Sequence, residues 1–195
     1  MLHNAFIQAV TYHGNEISIS PENAYQRDAR DITGPLDHQI LKTCDFINKN
    51  MWIAARKSVQ GGREDLPQFD MLVIFEAITN AVAHRDYSMS GSKVRLRLFK
   101  DRLEIYTPGP LANTMTPANL PYRQAARNEV ITSQLARCPI ERDDIIGHRT
   151  HIMDRRGEGV PFILSRSEQL SGKLPVYRLI DNSELLLTIY AGDHG

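Results

Sequence analysis

Three polar residues recur one helical turn apart within an otherwise apolar stretch of the sequence. Glu76, Asn80 and His84 are separated by four residues each, and apolar residues dominate the surrounding segment 71–87. A helix has 3.6 residues per turn, so this spacing places the three side chains along one side of it. Burying a carboxylate, a carboxamide and an imidazole costs free energy unless polar partners lie opposite. The stripe therefore marks a candidate site, and the alternative is a structural pair in which Glu76 and Asn80 bond neighbouring backbone.

The run His84-Arg85-Asp86 invites comparison with the catalytic loop of protein kinases. That loop requires an asparagine five residues after the aspartate, and this sequence has Gly91 there. We therefore interpret Arg85 and Asp86 as a buried or half-buried polar latch at the end of the helix, where the helix dipole favours a cation.

A second histidine pair, His148 and His151, has the spacing of two metal ligands on one helical face. The sequence does not place a carboxylate or cysteine beside the pair as a further ligand, so it favours surface histidines. Cys44 and Cys138 are the two cysteines of the chain, which weighs against a thiolate zinc site and suggests a reducing compartment.

Composition places the chain among ordinary water-soluble globular proteins. It has 195 residues, of which 42% are hydrophobic and 24% are charged, and its formal net charge is zero. A neutral chain has no overall basic field of the kind that favours nucleic-acid binding. No apolar run approaches the roughly 18 residues of a membrane span, and no signal peptide is recognisable. We expect a cytoplasmic protein without membrane partners.

Periodicity and turn residues predict the elements that position the stripe. In the first half we expect a hairpin over 5–19, a polar connector over 20–33, an amphipathic helix over 36–51, a strand over 52–59, a loop over 61–65, and the central helix opening at Pro67. In the second half we expect a hairpin over 93–106, a helix over 128–137, a helix over 160–168, and a final hairpin over 175–190. Between them, residues 107–126 carry four prolines and no periodicity, which is typical of a lid or binding loop.

Four segments together resemble a known family. They are the helix from Glu76 to Ser88, the strand and turn from Asp101 to Gly109, the pair Arg127-Asn128, and the glycine turn from Arg156 to Val160. Their order resembles the GHKL (Bergerat-type) ATP-binding fold of gyrases, MutL-like proteins and histidine kinases. More closely, they resemble the divergent GHKL module of transcriptional regulators labelled RecG-like, ATP-dependent helicase-related proteins. The resemblance covers most of residues 30–190.

The resemblance implies a fold and a division of the chain. The implied fold class is α+β, a two-layer GHKL-like sandwich in which helices cover one face of a mixed, mostly antiparallel sheet. In that family the module follows an AlbA-type, Schlafen-related DNA-binding domain. Residues 1–33 are accordingly expected to be a remnant of such a domain, and residues 34–195 to be the nucleotide-binding module with its lid.

The resemblance also implies residue roles. Glu76 would be the catalytic carboxylate that activates water, and Asn80 would bind Mg²⁺, a role that suits a hard amide oxygen. Gly157 and Gly159 would form a glycine turn whose backbone N–H groups cradle phosphates at a helix start. Thr107 and Gly109 would frame the adenine. Arg127 would contact phosphate from the lid, or alternatively Asn128 caps the following helix.

The sequence departs from the family at the adenine end. The family motif Asp-x-Gly-x-Gly aligns with Thr107-Pro108-Gly109-Pro110, so a threonine replaces the adenine-reading aspartate and a proline replaces the second glycine. A hydroxyl accepts a hydrogen bond without the strength of a charged acceptor. We therefore expect weak adenine recognition.

The sequence leads to two functional hypotheses. The first is an ATP- and Mg²⁺-binding regulatory module of a DNA-associated transcriptional regulator, in which hydrolysis is slow or absent and DNA is bound through a missing N-terminal domain. The second is a nucleotide-free scaffold that has kept the fold and forms a homodimer. A helicase motor is disfavoured, because the chain lacks a Gly-x-x-x-x-Gly-Lys-[Ser/Thr] phosphate loop.

Overall fold

Within the residues that the structure describes, eight strands and four α-helices form a two-layer α+β structure. The computed structural model describes residues 5–17, 26–57, 61–112, 114–140, 147, 149–154 and 157–192, without the side chains of residues 56 and 64. The strands are β1 (Ile7–Tyr12), β2 (Gln26–Ile32), β3 (Ile53–Lys57), β4 (Arg63–Pro67), β5 (Val94–Leu98), β6 (Arg102–Pro108), β7 (Val176–Ile180) and β8 (Glu184–Tyr190). The helices are α1 (Leu36–Asn50), α2 (Met71–His84), α3 (Glu129–Leu135) and α4 (Gly159–Ser171).

Six of the strands form one sheet in the order β2-β1-β5-β6-β8-β7. The β1–β5 pair is parallel, and the other four pairs are antiparallel. Strands β3 and β4 pair with each other as a separate antiparallel hairpin. The expected fold class, an α+β sandwich with a mixed and mostly antiparallel sheet, is confirmed.

The core lies between the sheet and α2, which packs against α1, α4 and β6. Ile74, Phe75 and Ile78 of α2 are at most 1% exposed and share one cluster with Leu96 and Ile105 of the sheet. Asp70 fixes the start of α2, because its carboxylate accepts a hydrogen bond of 2.9 Å from the backbone N–H of Leu72. The helix that carries the polar stripe is thus held by the core.

Four predictions in the first half were wrong: the hairpin, the connector, the loop, and the start of the central helix. The polar connector predicted over 20–33 contains β2, which is the antiparallel partner of β1. The second strand of the hairpin predicted over 5–19 is not present at residues 16 and 17, and residues 18–19 lie outside the described part. An edge strand tolerates charges on both faces and therefore shows no apolar alternation. Residues 63–65 of the predicted loop belong to β4, and Pro67 ends that strand instead of opening α2, which begins at Met71.

The other predicted elements are confirmed, although residues 58–60 lie outside the described part. Residues 181–183 connect the strands of the last hairpin, with positive φ at Asp181 (47°) and Asn182 (54°) and a hydrogen bond of 2.9 Å from Ser183 N–H to the carbonyl of Ile180. The sheet runs across the boundary predicted at residue 33, because β1 and β2 pair within it. The assignment of residues 1–33 to an AlbA-type domain stays a prediction.

Among the described residues, none of the helices is both long enough and apolar enough to cross a membrane.

Candidate functional site

A cavity of about 510 Å³ lies between α2, the segment 109–127 that follows β6, and the start of α4. Its volume falls within the roughly 300–1,000 Å³ of typical ligand pockets. The seven site residues expected from the sequence all line it: Glu76, Asn80, Thr107, Gly109, Arg127, Gly157 and Gly159. The fold therefore brings together residues that are up to 83 positions apart in the chain, from Glu76 to Gly159.

Glu76 and Asn80 form a polar pair at one end of the cavity. Glu76 is 4% exposed, and its Oε1 accepts a hydrogen bond of 3.2 Å from Nδ2 of Asn80. Its Oε2 accepts a charged hydrogen bond of 2.6 Å from Nη1 of Arg149. The buried carboxylate is thus paired and charge-compensated, as burial demands. Oδ1 of Asn80 has no protein partner among the described residues and remains free to accept.

The start of α4 lies so close to this pair that a side chain larger than glycine would have to displace it. A Cβ at Gly159 would lie 2.3 Å from Oε1 of Glu76 and 2.9 Å from Nδ2 of Asn80. Gly157 has φ of +70°, and a Cβ there would overlap the side chain of Gln124 from the opposite wall. The sequence therefore uses these two glycines to bring a helix N-terminus and its free N–H groups against the cavity.

Arg127 fastens the segment after β6 to the end of α2. Its Nη1 donates a hydrogen bond of 3.1 Å to Oδ2 of Asp86, and its Nη2 donates to the carbonyl oxygen of Pro110. The hydroxyl of Ser88 and the Arg127 charge hold the pKa of Asp86 below its ordinary value. Arg127 lines the cavity, but its guanidinium is already hydrogen-bonded to Asp86 and Pro110.

Asn128 occupies the first position before α3, but its side chain makes no capping hydrogen bond there. Instead Nδ2 donates to the backbone carbonyls of Ala83 (2.9 Å) and Arg85 (2.8 Å) at the end of α2. Of the two expected alternatives, side-chain capping of the following helix is wrong. The amide joins two helices because the last carbonyls of α2 lack partners within their own helix.

The wall that β6 and β8 contribute to the cavity is largely apolar. Thr107 is 7% exposed, and its hydroxyl has no hydrogen-bond partner among the described residues. Ile105, Leu185 and Leu187 from β6 and β8 line the wall beside it. Gly109 has φ of +110°, and a Cβ there would lie 2.5 Å from Cβ of Asp86, so this turn also requires glycine.

His84 lies on the cavity wall, but its environment favours the neutral ring. Burial lowers the pKa of His84, and the positive charge of Arg127 lowers it further. The adjacent Arg85 is 3% exposed, donates a hydrogen bond of 2.5 Å to the carbonyl of Ser92, and stacks 5.0 Å from the ring centre of Tyr87. The polar latch expected at the end of α2 is confirmed for Arg85 and Asp86.

Arg149 is the functional-site candidate that sequence reasoning missed. It lies 73 positions from Glu76, in a stretch without apolar periodicity. The pairing of Pro139 with His151 places Arg149 beside Glu76, which lines the cavity, and no sequence motif predicts that pairing. His151 is exposed, and His148 lies outside the described residues, so the histidine pair stays untested.

Among the residues that the structure describes, no group of three histidine, cysteine or carboxylate side chains could hold a metal ion. Mg²⁺ does not require such a group, because it keeps several waters and binds through one or two protein oxygens together with phosphates. Glu76 and the free Oδ1 of Asn80 provide donors of that kind at one end of the cavity.

A family's sequence profile, described as "Putative ATP-dependent DNA helicase recG C-terminal", matches residues 91–189, about half of the chain. The match includes Thr107, Gly109, Arg127, Gly157 and Gly159, and it begins after α2. A search of curated protein sequences found no match.

A solved structure shares the fold. The crystal structure of the DIP2311 protein from Corynebacterium diphtheriae has a TM-score of 0.70 and 18% sequence identity, over 97% of this chain and 34% of that one. The chain thus spans about a third of the length of that protein. The profile match establishes more than the fold: this chain belongs to the ATPase-like family of recG C-terminal domains.

Proposed function

We propose that the cavity binds a Mg²⁺–ATP complex and that the protein acts as a nucleotide-dependent regulatory module. The observation that carries the proposal is the approach of the α4 N-terminus, through Gly159, to the paired side chains of Glu76 and Asn80. A helix N-terminus that begins at a glycine can bind phosphate through its N–H groups, and a carboxylate and an amide oxygen facing it can bind the metal ion.

The start of α4 supports phosphate binding through its backbone. The helix runs for 13 residues from Gly159 to Ser171, and no side chain caps its first turn. Its first N–H groups therefore lack intrahelical partners, and the helix dipole adds partial positive charge there. Phosphate oxygens placed between Gly157 and Gly159 would satisfy these donors.

The metal end rests on Glu76 and Asn80. Oδ1 of Asn80 would bind Mg²⁺ directly, and the phosphates and water would supply the remaining ligands. Bound Mg²⁺ would neutralise part of the phosphate charge. Glu76, whose carboxylate is paired with Arg149 in the ligand-free protein, would orient a water molecule for attack on the terminal phosphate, and we expect hydrolysis to be slow or absent.

The base end favours an apolar, flat group with limited polar recognition. Thr107 offers one hydroxyl for a hydrogen bond, and Ile105, Leu185 and Leu187 offer apolar contact. Because a hydroxyl forms weaker hydrogen bonds than a charged carboxylate, discrimination between adenine and other bases should be modest.

The remaining features of the proposal concern the type of module and the kind of protein in which it acts. We propose that the module is of the GHKL type and serves a transcriptional regulator that contacts DNA through an AlbA-type, Schlafen-related domain outside this module. The family description supports an ATPase-like, helicase-related context. Motor activity is not part of the proposal, because the chain has no phosphate-loop motif.

The proposal predicts that Mg²⁺–ATP raises the melting temperature of the wild-type protein and leaves that of Asn80→Ala unchanged. The substitution removes the amide oxygen proposed to bind Mg²⁺, and calorimetry should show at least about a tenfold loss of affinity, the factor that corresponds to 1.4 kcal/mol.

Gln8→Ala is the matched control, because the Gln8 amide donates a similar hydrogen bond of 3.3 Å to Asp31 away from the cavity. This variant should retain the full shift. Equal nucleotide responses of wild type and Asn80→Ala would contradict the assignment of Asn80. No heat of binding with any variant, together with a concentration-dependent dimer, would favour the nucleotide-free scaffold instead.

A further inference from the structure

We propose that Arg149 binds the terminal phosphate of the nucleotide and that it exchanges Glu76 for that phosphate when the ligand enters. This inference rests on the proposed function. It assigns to Arg149 the discrimination between nucleoside triphosphates and diphosphates.

The ion pair of Arg149 with Glu76 holds a carboxylate in an anion-binding position. One oxygen of Glu76 accepts a hydrogen bond of 2.6 Å from the Arg149 guanidinium, and the other faces Asn80 and the backbone of Gly159. The carboxylate therefore lies between a cation and a helix N-terminus, the two groups that most strongly attract a phosphate. In the ligand-free protein, Glu76 takes the place that we assign to a phosphate oxygen.

Arg149 differs in its charge partner from the two arginines that line the cavity, Arg123 and Arg127. Arg127 is paired with Asp86 and bonded to the carbonyl of Pro110, while the Nη1 of Arg123 donates to Thr114. Both belong to the segment 109–127 that follows β6. Among the described residues, Arg149 is the arginine bonded to Glu76, the proposed catalytic carboxylate. A phosphate that enters the cavity would contact Glu76 and would therefore come close to the Arg149 guanidinium.

The surroundings of Arg149 allow the guanidinium to change partners while its backbone stays in place. The backbone that follows Arg149 is anchored by hydrogen bonds from Ile140 N–H to the carbonyl of Thr150 (2.9 Å) and from Ile152 N–H to the carbonyl of Cys138 (3.0 Å). The side chain is 23% exposed, and its guanidinium stacks 5.2 Å from the ring centre of Phe75. A phosphate carries more charge than a carboxylate and offers three oxygens, so it competes well for a guanidinium.

The test compares ADP with the non-hydrolysable analogue AMP-PNP, both with Mg²⁺, by titration calorimetry. The wild type should bind AMP-PNP about tenfold more tightly than ADP. Arg149→Gln removes the charge, and its AMP-PNP affinity should fall until the two affinities agree within about twofold. Arg149→Lys keeps the charge and should recover part of the preference.

Arg166→Gln is the matched control. Arg166 also pairs with a carboxylate, Asp70, at 2.6 Å, and also stacks on a phenylalanine, Phe162, at 5.6 Å, but Asp70 does not line the cavity, whereas Glu76, the partner of Arg149, does. This variant should keep the wild-type preference. Circular dichroism and melting temperature should report whether each variant is folded.

Glu76→Gln gives an independent test if Arg149→Gln does not fold. An uncharged amide holds the guanidinium less strongly, so the AMP-PNP affinity should rise about tenfold and the ADP affinity should change less than about twofold. A preference that survives in Arg149→Gln, or one that Glu76→Gln leaves unchanged, would overturn the role of Arg149. Failure of the wild type to bind either nucleotide would instead contradict the proposed function, and this inference with it.

Discussion

Two glycines at opposite ends of α4 show how the same residue type serves different physical needs. Gly159, at the first position of the helix, leaves room for the Glu76 carboxylate, whereas Gly172, just past the last turn, supplies a φ of +68° with no atom near its missing Cβ. The first glycine is required by a neighbour across the cavity. The second is required by its own backbone.

Gly159→Ala should abolish tight Mg²⁺–ATP binding with little change in stability. The new methyl group would force the Glu76 side chain away and fill the space in front of the α4 N–H groups, while alanine favours helix over glycine by up to about 1 kcal/mol. We expect at least a tenfold loss of affinity by calorimetry, with a free energy of unfolding within about 1 kcal/mol of the wild type.

Gly172→Ala should show the reverse behaviour. Alanine in the left-handed region costs about 1–2 kcal/mol, which chemical denaturation would measure, and nucleotide affinity should remain at the wild-type value. Unchanged binding in Gly159→Ala would show that the start of α4 does not contact the ligand.

At the scale of elements, the end of α2 is held by groups from outside the helix. The side chain of Asn128 bonds two of its last carbonyls, and the backbone N–H of Asp86, just beyond α2, donates a hydrogen bond of 2.7 Å to the carbonyl of Pro108 at the end of β6. The end of α2 is therefore tied both to the end of β6 and to the residue before α3. These contacts fix the position of the polar stripe that α2 carries.

Asn128→Asp should lower the free energy of unfolding by about 2 kcal/mol in urea denaturation. Each lost hydrogen bond accounts for about 1 kcal/mol, and the carboxylate cannot donate to the carbonyls of Ala83 and Arg85. An aspartate is as good a helix cap as asparagine, so a capping role would predict no loss.

Gln134→Ala, at an exposed position of α3, serves as the control and should change stability by less than about 0.5 kcal/mol. If Asn128→Asp proved as stable as the wild type, the tie between α2 and α3 would contribute nothing to stability.

At the scale of the whole molecule, Asp86 links the helical layer, the lid and the sheet. Its carboxylate accepts from Ser88 and Arg127, and its backbone lies against Gly109. Because these contacts lower its pKa in the folded state, Asp86 contributes stability that is present above its ordinary pKa of 3.8 and is lost as the pH falls through the folded-state value.

The stability difference between wild type and Asp86→Asn should therefore be largest near pH 7 and should narrow steadily as the pH falls below about 4. Urea denaturation over this range at fixed ionic strength would measure it. Ser88→Ala removes the largest contributor to the lowered pKa and should itself flatten the pH dependence. A difference that stays constant down to pH 3 would show that the Asp86 charge has no role in these contacts.

Local patterns in the sequence account for much of the fold. The alternation over Val94–Leu98 predicts a strand with one buried face, and the apolar spacing over Leu36–Asn50 predicts α1, because burial on one side of an element leaves a period in the sequence. β2 and β4 escape such reasoning. Their charged and exposed residues carry no period, and pairing with a neighbouring strand is what makes them strands.

For the site, the sequence alone supplies the stripe of Glu76 and Asn80 and the glycine turn before α4, since these depend on spacing within a single element. The contacts of Arg149 with Glu76 and of Asn128 with α2 join residues 73 and 45 or 43 positions apart, and they exist only after the sheet and helices have packed. Such long-range pairs leave no local period, because their geometry is set by the packing of whole elements.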